Sequence, residues 1–171
     1  MAAEWYKKQP KNRNFLSPAG FKLNLEKFEG TDFFCQKVNL PDISVPFTEV
    51  PTRFRSFPVI AGGGVTFGDL SVSFIIDEDL KNYHSIHEWI RTNGASEGHM
   101  TTEKIDYTNG QLHILTSNYN NQFIIDFQNL FPVSLTDISF DAGITDLEYF
   151  TAQVVFKFTG YTFKDKDFND L

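Results

Sequence analysis

Apolar and polar residues alternate with period two over several stretches of the chain, the repeat of a strand that buries one face. Phe21, Leu23 and Leu25 alternate with Lys22, Asn24 and Glu26. Leu70, Val72, Phe74 and Ile76 alternate with Ser71, Ser73 and Asp77, and this clearest of the amphipathic stretches predicts a strand lining the core. Phe123, Ile125 and Phe127 repeat the pattern. Phe150, Ala152, Val154, Phe156, Phe158 and Gly160 alternate with Thr151, Gln153, Val155, Lys157 and Thr159 in one long closing strand. After a turn at Gly30, Phe33 to Leu40 predicts a further strand. Pro132 is read as a boundary, with Val133, Leu135 and Ile138 beginning a new β segment beyond it. Asn109-Gly110, between Lys104–Thr108 and Gln111–Thr116, predicts a two-residue hairpin turn. A second hairpin is expected to turn at Asn118 to Asn121.

Helical spacing occurs in one place. Leu80, Tyr83, Ile86, His87 and Ile90 fall on one stripe, Asp77 or Asp79 is placed to cap the first turn, and Gly94 closes the segment as a C′ residue. Between Ile43 and Gly64 the chain mixes β-formers with Pro46, Pro51 and Pro58 and ends in Gly62-Gly63-Gly64. Proline cannot donate to a ladder, so this stretch predicts a long, partly extended hairpin projecting from the domain. Its aromatic residues Phe47, Phe54 and Phe57 suit a partner surface better than solvent. Seven to nine strands with one helix predict a mainly β fold, an antiparallel β-sandwich or barrel with one flanking helix. Residues 1–18 read as a basic N-terminal arm, 19–163 as the sandwich domain and 164–171 as a solvated tail.

Composition narrows the function. Nineteen Phe in 171 residues indicate a packed interior rather than a disordered chain. Cys35 is the only cysteine, which leaves no internal disulfide and no Cys-based zinc site, and points to a reducing place of synthesis. The N-terminus has no apolar run of the signal-peptide kind, and no stretch approaches a membrane-spanning length, so neither export nor membrane contact is expected. A net charge of −7 disfavours tight nucleic-acid binding, which depends on Lys and Arg neutralising phosphates. From Ile105 to Phe156 there is no Lys or Arg, while Asp106, Asp126, Asp137, Asp141, Asp146 and Glu148 carry negative charge. That half presents an acidic face, which favours solubility and repels polyanions.

Candidate chemistry is thin. His84, His87 and Glu88 lie one helical turn apart, but a metalloprotease helix needs two His four apart with Glu directly after the first. Gly62 to Gly64 lack the Lys-Ser or Lys-Thr of a phosphate-binding loop. No Gly-x-Ser-x-Gly elbow occurs, and Cys35 falls in a strand pattern, where a buried, inert thiol is the usual case. No catalytic, cofactor or metal site is expected.

Two blocks carry a family resemblance. One runs Gln36-Lys37-Val38-Asn39-Leu40-Pro41, through Val50-Pro51 and Ile60-Ala61-Gly62, to Phe67-Gly68-Asp69-Leu70-Ser71-Val72-Ser73-Phe74-Ile75-Ile76-Asp77-Glu78 and the helix ending near Trp89. The other is Leu130-Phe131-Pro132-Val133-Ser134, then the acidic stretch to Phe150 and the closing strand to Tyr161. Together with the segment between them they cover most of residues 20–162, and the set resembles the tail tube protein of T4-like contractile-tailed bacteriophages. The resemblance implies a virion protein, made in the host cytoplasm, whose homo-hexameric rings stack into the inner tube of the tail. DNA passes through such a tube without specific binding. Tape measure protein, tail sheath protein and a baseplate tube-initiator are the implied partners. By that likeness the excursion reaches a neighbouring subunit or ring through Phe47, Pro51, Arg53, Phe54, Arg55, Phe57 and Gly62, Gly63 and Gly64, with Arg53 and Arg55 meeting carboxylates. Asp126, Asp137, Asp141, Asp146 and Glu148 would face the lumen. A tube-like initiator or cap at the baseplate, or the tube of a related injection or secretion system, is the alternative within the class.

Overall fold

The computed structural model describes residues 14–27, 35–94, 106–143, 149–166 and 168–170. Alternation dictates its central strands. In β7 (Leu70–Ile75) the residues Leu70, Val72 and Phe74 are buried, and in β10 (Thr151–Lys157) Ala152, Val154 and Phe156 are buried. The two strands pair antiparallel with Val154 opposite Val72 and Ala152 opposite Phe74, so their apolar residues share one face. β2 (Cys35–Val38) flanks β7 on its other side. The second half is built the same way from β1 (Phe21–Leu25), β8 (Thr108–Leu115), β9 (Asn121–Leu135) and β11 (Gly160–Asp165).

β9 joins the halves. Up to Gln128 it lies between β8 and β11, and from Phe131 it lies beside β10. The hydrogen-bonded path is therefore β1-β8-β9-β10-β7-β2, antiparallel throughout, and its end strands β1 and β2 touch. Leu23, Leu112, Ile125 and Phe127 from one half meet Val72, Phe74, Val154 and Phe156 from the other in a single core. This is the expected antiparallel sandwich. The remaining strands stand outside it: β3 (Ile43–Ser44) pairs with β6 (Thr66–Phe67), and β4 (Phe47–Pro51) pairs with β5 (Ser56–Ile60).

Among the described residues one helix, α1 (Lys81–Gly94), covers the core with Ile86 and Trp89. The Trp89 ring centroid is 6.1 Å from that of Phe156, its indole N–H donates to the Asp106 carbonyl at 2.9 Å, and Tyr83 Oη donates to the Thr136 carbonyl at 3.0 Å. The buried stripe is thus Tyr83, Ile86, Trp89 and Ile90. His87 and Leu80, expected on it, are exposed. The apolar weight of Trp89, one position from Ile90, rotates the stripe away from them. Leu80, with φ of 57°, precedes the helix and its carbonyl accepts the first bond, from His84 N–H at 2.9 Å, so neither Asp77 nor Asp79 is the cap. Asn82 ties the entry instead, its Oδ1 accepting the Tyr83 N–H at 2.7 Å and its amide donating to the Ile75 carbonyl at 2.8 Å. Gly94 is the last helical residue, and it is not among the glycines with positive φ.

Three β expectations are corrected. Asn109-Gly110 is no hairpin turn but lies inside β8, at a bulge where Thr108 opposes Leu130 and Gly110 opposes Phe127. The left-handed residue of the bulge is Asn129, φ 53°, across from it. Gly110 is required for room, because a Cβ there would lie 3.0 Å from Leu25 Cδ2. Pro132 does not end a strand, since β9 runs through it. The pairing with β8 stops at Leu130 and the register with β10 slips beside Pro132, so a residue without an N–H is accommodated there. The closing strand bends at Phe158-Thr159 and resumes as β11, which takes in Lys164 and Asp165. The hairpin at 118–121 is present, closed by Tyr119 N–H donating to the Thr116 carbonyl at 2.8 Å.

Phe156 is fully buried and is where strand and helix meet. Phe156→Ala should destabilise the domain by about 3–5 kcal/mol through lost burial plus the cavity left behind. A shift in the urea unfolding midpoint at unchanged slope measures this, and a loss below about 1 kcal/mol would refute the placement of the core.

Candidate assembly interface

The excursion is a two-stranded ribbon. β4 and β5 pair from Phe47 opposite Ile60 to Pro51 opposite Ser56. The four-residue tip is closed by Thr52 N–H donating to the Arg55 carbonyl at 3.1 Å and Arg55 N–H donating to Thr52 Oγ1 at 3.3 Å. Pro51 and Pro58 fit because the ribbon has two edges and no third strand. At the base Ala61 N–H donates to the Pro46 carbonyl at 3.2 Å, and Gly62, Gly63 and Gly64 all take positive φ, which returns the chain toward the body.

The root of the ribbon is welded to the sandwich. Phe67 in β6 packs on Phe158 and Tyr161 with ring centroids 5.8 and 5.3 Å away. Gly68 N–H donates to the Asp42 carbonyl at 2.9 Å, and a Cβ at Gly68 would collide with the Asp42 carboxylate. The Asn39 amide donates to the Asp69 carbonyl at 2.9 Å, and Lys157 pairs with the Asp69 carboxylate. Sequence reasoning missed this root; its signal was the aromatic pair Phe158 and Tyr161 around Gly160.

Every residue of β4 and β5 is exposed. Phe54 at the tip is 92% exposed, Ile60 73% and Phe47 66%, and Ile43, Val50, Phe57 and Val59 are also uncovered. Isolated two-stranded hairpins are marginal in water, and a contiguous apolar surface of this kind marks an interaction site. Arg53 and Arg55 flank Phe54, with the Arg53 guanidinium 5.8 Å from its ring centroid, and among the described residues neither has an ion-pair partner. All nine residues assigned to subunit contact therefore lie together on this projection.

The described acids Asp126, Asp137 and Asp141 sit in different settings. Asp126 on β9 pairs with Lys164 of β11 at 2.7 Å, and this partner raises the Lys164 pKa above its usual value. Asp137 and Asp141 are exposed beyond the end of β9, where the Asp141 carboxylate accepts the Gly143 N–H at 2.8 Å. Asp146 and Glu148 lie outside the described residues. His84 and Glu88 face solvent 4.0 Å apart with His87 exposed beside them, and among the described residues no three His, Cys, Asp or Glu side chains converge on a point. No helix among the described residues is long and apolar enough to cross a membrane.

The described residues thus form an antiparallel sandwich covered by a helix, from which an exposed apolar ribbon projects. The chain belongs to the phage tail tube protein family, whose model matches residues 8–164. No curated protein sequence matches the chain significantly. Solved structures share its fold at low identity. A chain of the anti-feeding prophage tube-terminating cap superposes with a TM-score of 0.67 and 16% identity over 96% of this chain and 99% of that one. A chain of the sheath–tube complex of the extracellular contractile injection system PVC, in its extended state, gives 0.65 and 14% over 90% and 93%. A chain of the anti-feeding prophage baseplate gives 0.62 and 10% over 85% and 91%.

Cys35 on β2 is half-buried, and burial pushes its thiol pKa up to about 11. The folded state holds this proton more tightly than the unfolded chain, whose thiol ionises near 9.0, so the neutral thiol's contribution is complete below pH 9.0 and is lost as pH rises toward 11. Alkylation of the native protein should accordingly be negligible at pH 8 and climb above pH 10. Labelling at pH 8 as fast as that of the urea-unfolded chain would contradict the assignment.

Proposed function

We propose that this tail tube protein forms homo-hexameric rings that stack, through the β4–β5 ribbon, into the inner tube of a contractile tail within a phage or related injection particle. The observation that carries the proposal is the ribbon itself, its strands paired along their length, its root packed on the sandwich and its apolar side chains exposed. Full burial of one large apolar side chain contributes about 1.5–3 kcal/mol. Covering four or five of those on the ribbon is then comparable with the roughly 4–15 kcal/mol that association costs in lost freedom.

In this role the protein is structural and has no enzymatic activity. Tail sheath protein surrounds the tube, a baseplate tube-initiator starts it, and tape measure protein and then DNA occupy its lumen. Asp137 and Asp141 face that lumen and repel phosphate, while the charge of Asp126 is compensated by Lys164. A tube subunit is present in many rings per particle, whereas an initiator or cap supplies one, so copy number in the purified particle separates the two.

The isolated protein is expected to form rings of about 118 kDa, six copies of a 19.6-kDa chain, or longer stacks, seen by mass photometry and negative-stain microscopy. Monomers alone at micromolar concentration would overturn the proposal. Arg53→Glu with Arg55→Glu should shorten or abolish stacks while the circular-dichroism spectrum and melting temperature stay unchanged, because both side chains are exposed. Stacks of unchanged length would take the ribbon out of the interface.

A further inference from the structure

At the β8–β9 turn a cleft of about 300 Å³ opens between Phe15 and Leu16 on one side and Ile114, Leu115 and Phe123 on the other. The groups around its mouth are uncharged. One carboxylate lies beside it. Phe21 is opposite Ile114, Ile114 opposite Phe123, and Phe123 opposite Asp165, so these four form a cross-strand row on one face of the sheet. An apolar row thus ends in an acid at the margin of the cleft. Lys164, next in sequence, points to the other face, where it pairs with Asp126. Asp165 accepts the Lys166 backbone N–H at 2.8 Å, and among the described residues no cation pairs with it.

The tip of the ribbon carries the complementary features. Phe54 is a single aromatic knob between two guanidinium groups, and 300 Å³ is enough space for one aromatic side chain. Within one copy the two do not meet, since Phe54 is 92% and Phe15 93% exposed.

We propose that Phe54 of one copy seats in the cleft formed by Phe15, Leu16, Ile114 and Phe123 of a second copy, while its flanking arginines reach that copy's Asp165. The proposal rests on the tube reading and names the two surfaces that meet in it. Knob and cleft are different surfaces of the same chain, so the contact is heterologous: repeated from copy to copy, it propagates rather than closing as an isologous pair.

The test replaces Phe54 with the photoreactive residue benzoyl-phenylalanine, irradiates assembled tubes and maps the intermolecular adducts by mass spectrometry. Adducts on residues 14–16 or 114–123 are expected. Adducts confined to other segments of the second copy, including residues 1–13, would overturn the cleft as the seat and leave the tube reading intact. Failure of the unsubstituted chain to assemble at all would instead defeat the tube reading. As a second arm, Asp165→Arg should recover about 10-fold in the polymerisation rate lost in the Arg53→Glu, Arg55→Glu chain, a coupling of the size expected for facing charges. A triple variant no better than the double would overturn the pairing with Asp165.

Discussion

Exposure is the governing constraint on the β4–β5 ribbon: its apolar side chains stand open along both strands. Its two strands pair from Phe47–Ile60 to Pro51–Ser56, which leaves the outward N–H and C=O groups of two edges, and it offers Phe47 and Ile60 on one face and Val50, Phe57 and Val59 on the other. A ribbon of ten strand residues stands alone poorly in water. Its geometry therefore comes from the root, where Phe67 lies against Phe158 and Tyr161 and the Gly68 N–H donates to the Asp42 carbonyl. A root packed in this way reduces the freedom the ribbon would lose on docking.

The sandwich supports that root through continuity. β9 is fifteen residues long and lies in both halves, and the β10–β11 run follows it with one bend at Phe158-Thr159. The bend is where Phe158 and Tyr161 reach Phe67, so the place at which the strands pass between halves is also where the ribbon is held. Lys157, the last residue of β10, fastens the same corner by pairing with Asp69. Ribbon direction and sandwich closure are thus set by one group of side chains.

Much of the fold was legible because burial imposes period two directly on β1, β7 and β10. The misreadings share a cause: a local signal was overruled by a partner distant in sequence. Asn109-Gly110 has turn chemistry, yet Gly110 is there to let Leu25 of β1 approach. Pro132 has breaker chemistry, yet it falls where β8 has ended and β9 has lost one neighbour. His87 fits the helical stripe as well as Trp89 does by spacing alone, and the Asp106 carbonyl, reached by the indole N–H, decides between them. The ribbon was legible because prolines, glycines and exposed aromatics are local features. The cleft and its acid were not, since Phe15, Ile114, Phe123 and Asp165 come together only through strand register.

Charge gives the last constraint. Copies of a chain with net charge −7 repel one another, and assembly needs contacts that overcome this at short range. The chain has only four arginines, and two of them, Arg53 and Arg55, bracket the most exposed aromatic residue of the ribbon. Arginine is the cation best suited to an interface, being weakly hydrated and able to stack on a ring as Arg53 does on Phe54. Between subunits, long-range repulsion is screened over about 8 Å at physiological salt, while a guanidinium in contact with a carboxylate beside an apolar cleft is screened far less. In the proposed contact, scarce positive charge at the end of an apolar projection would direct mutually repelling subunits into one relative orientation. Asp137 and Asp141, exposed beyond the end of β9, have no ion-pair partner among the described residues.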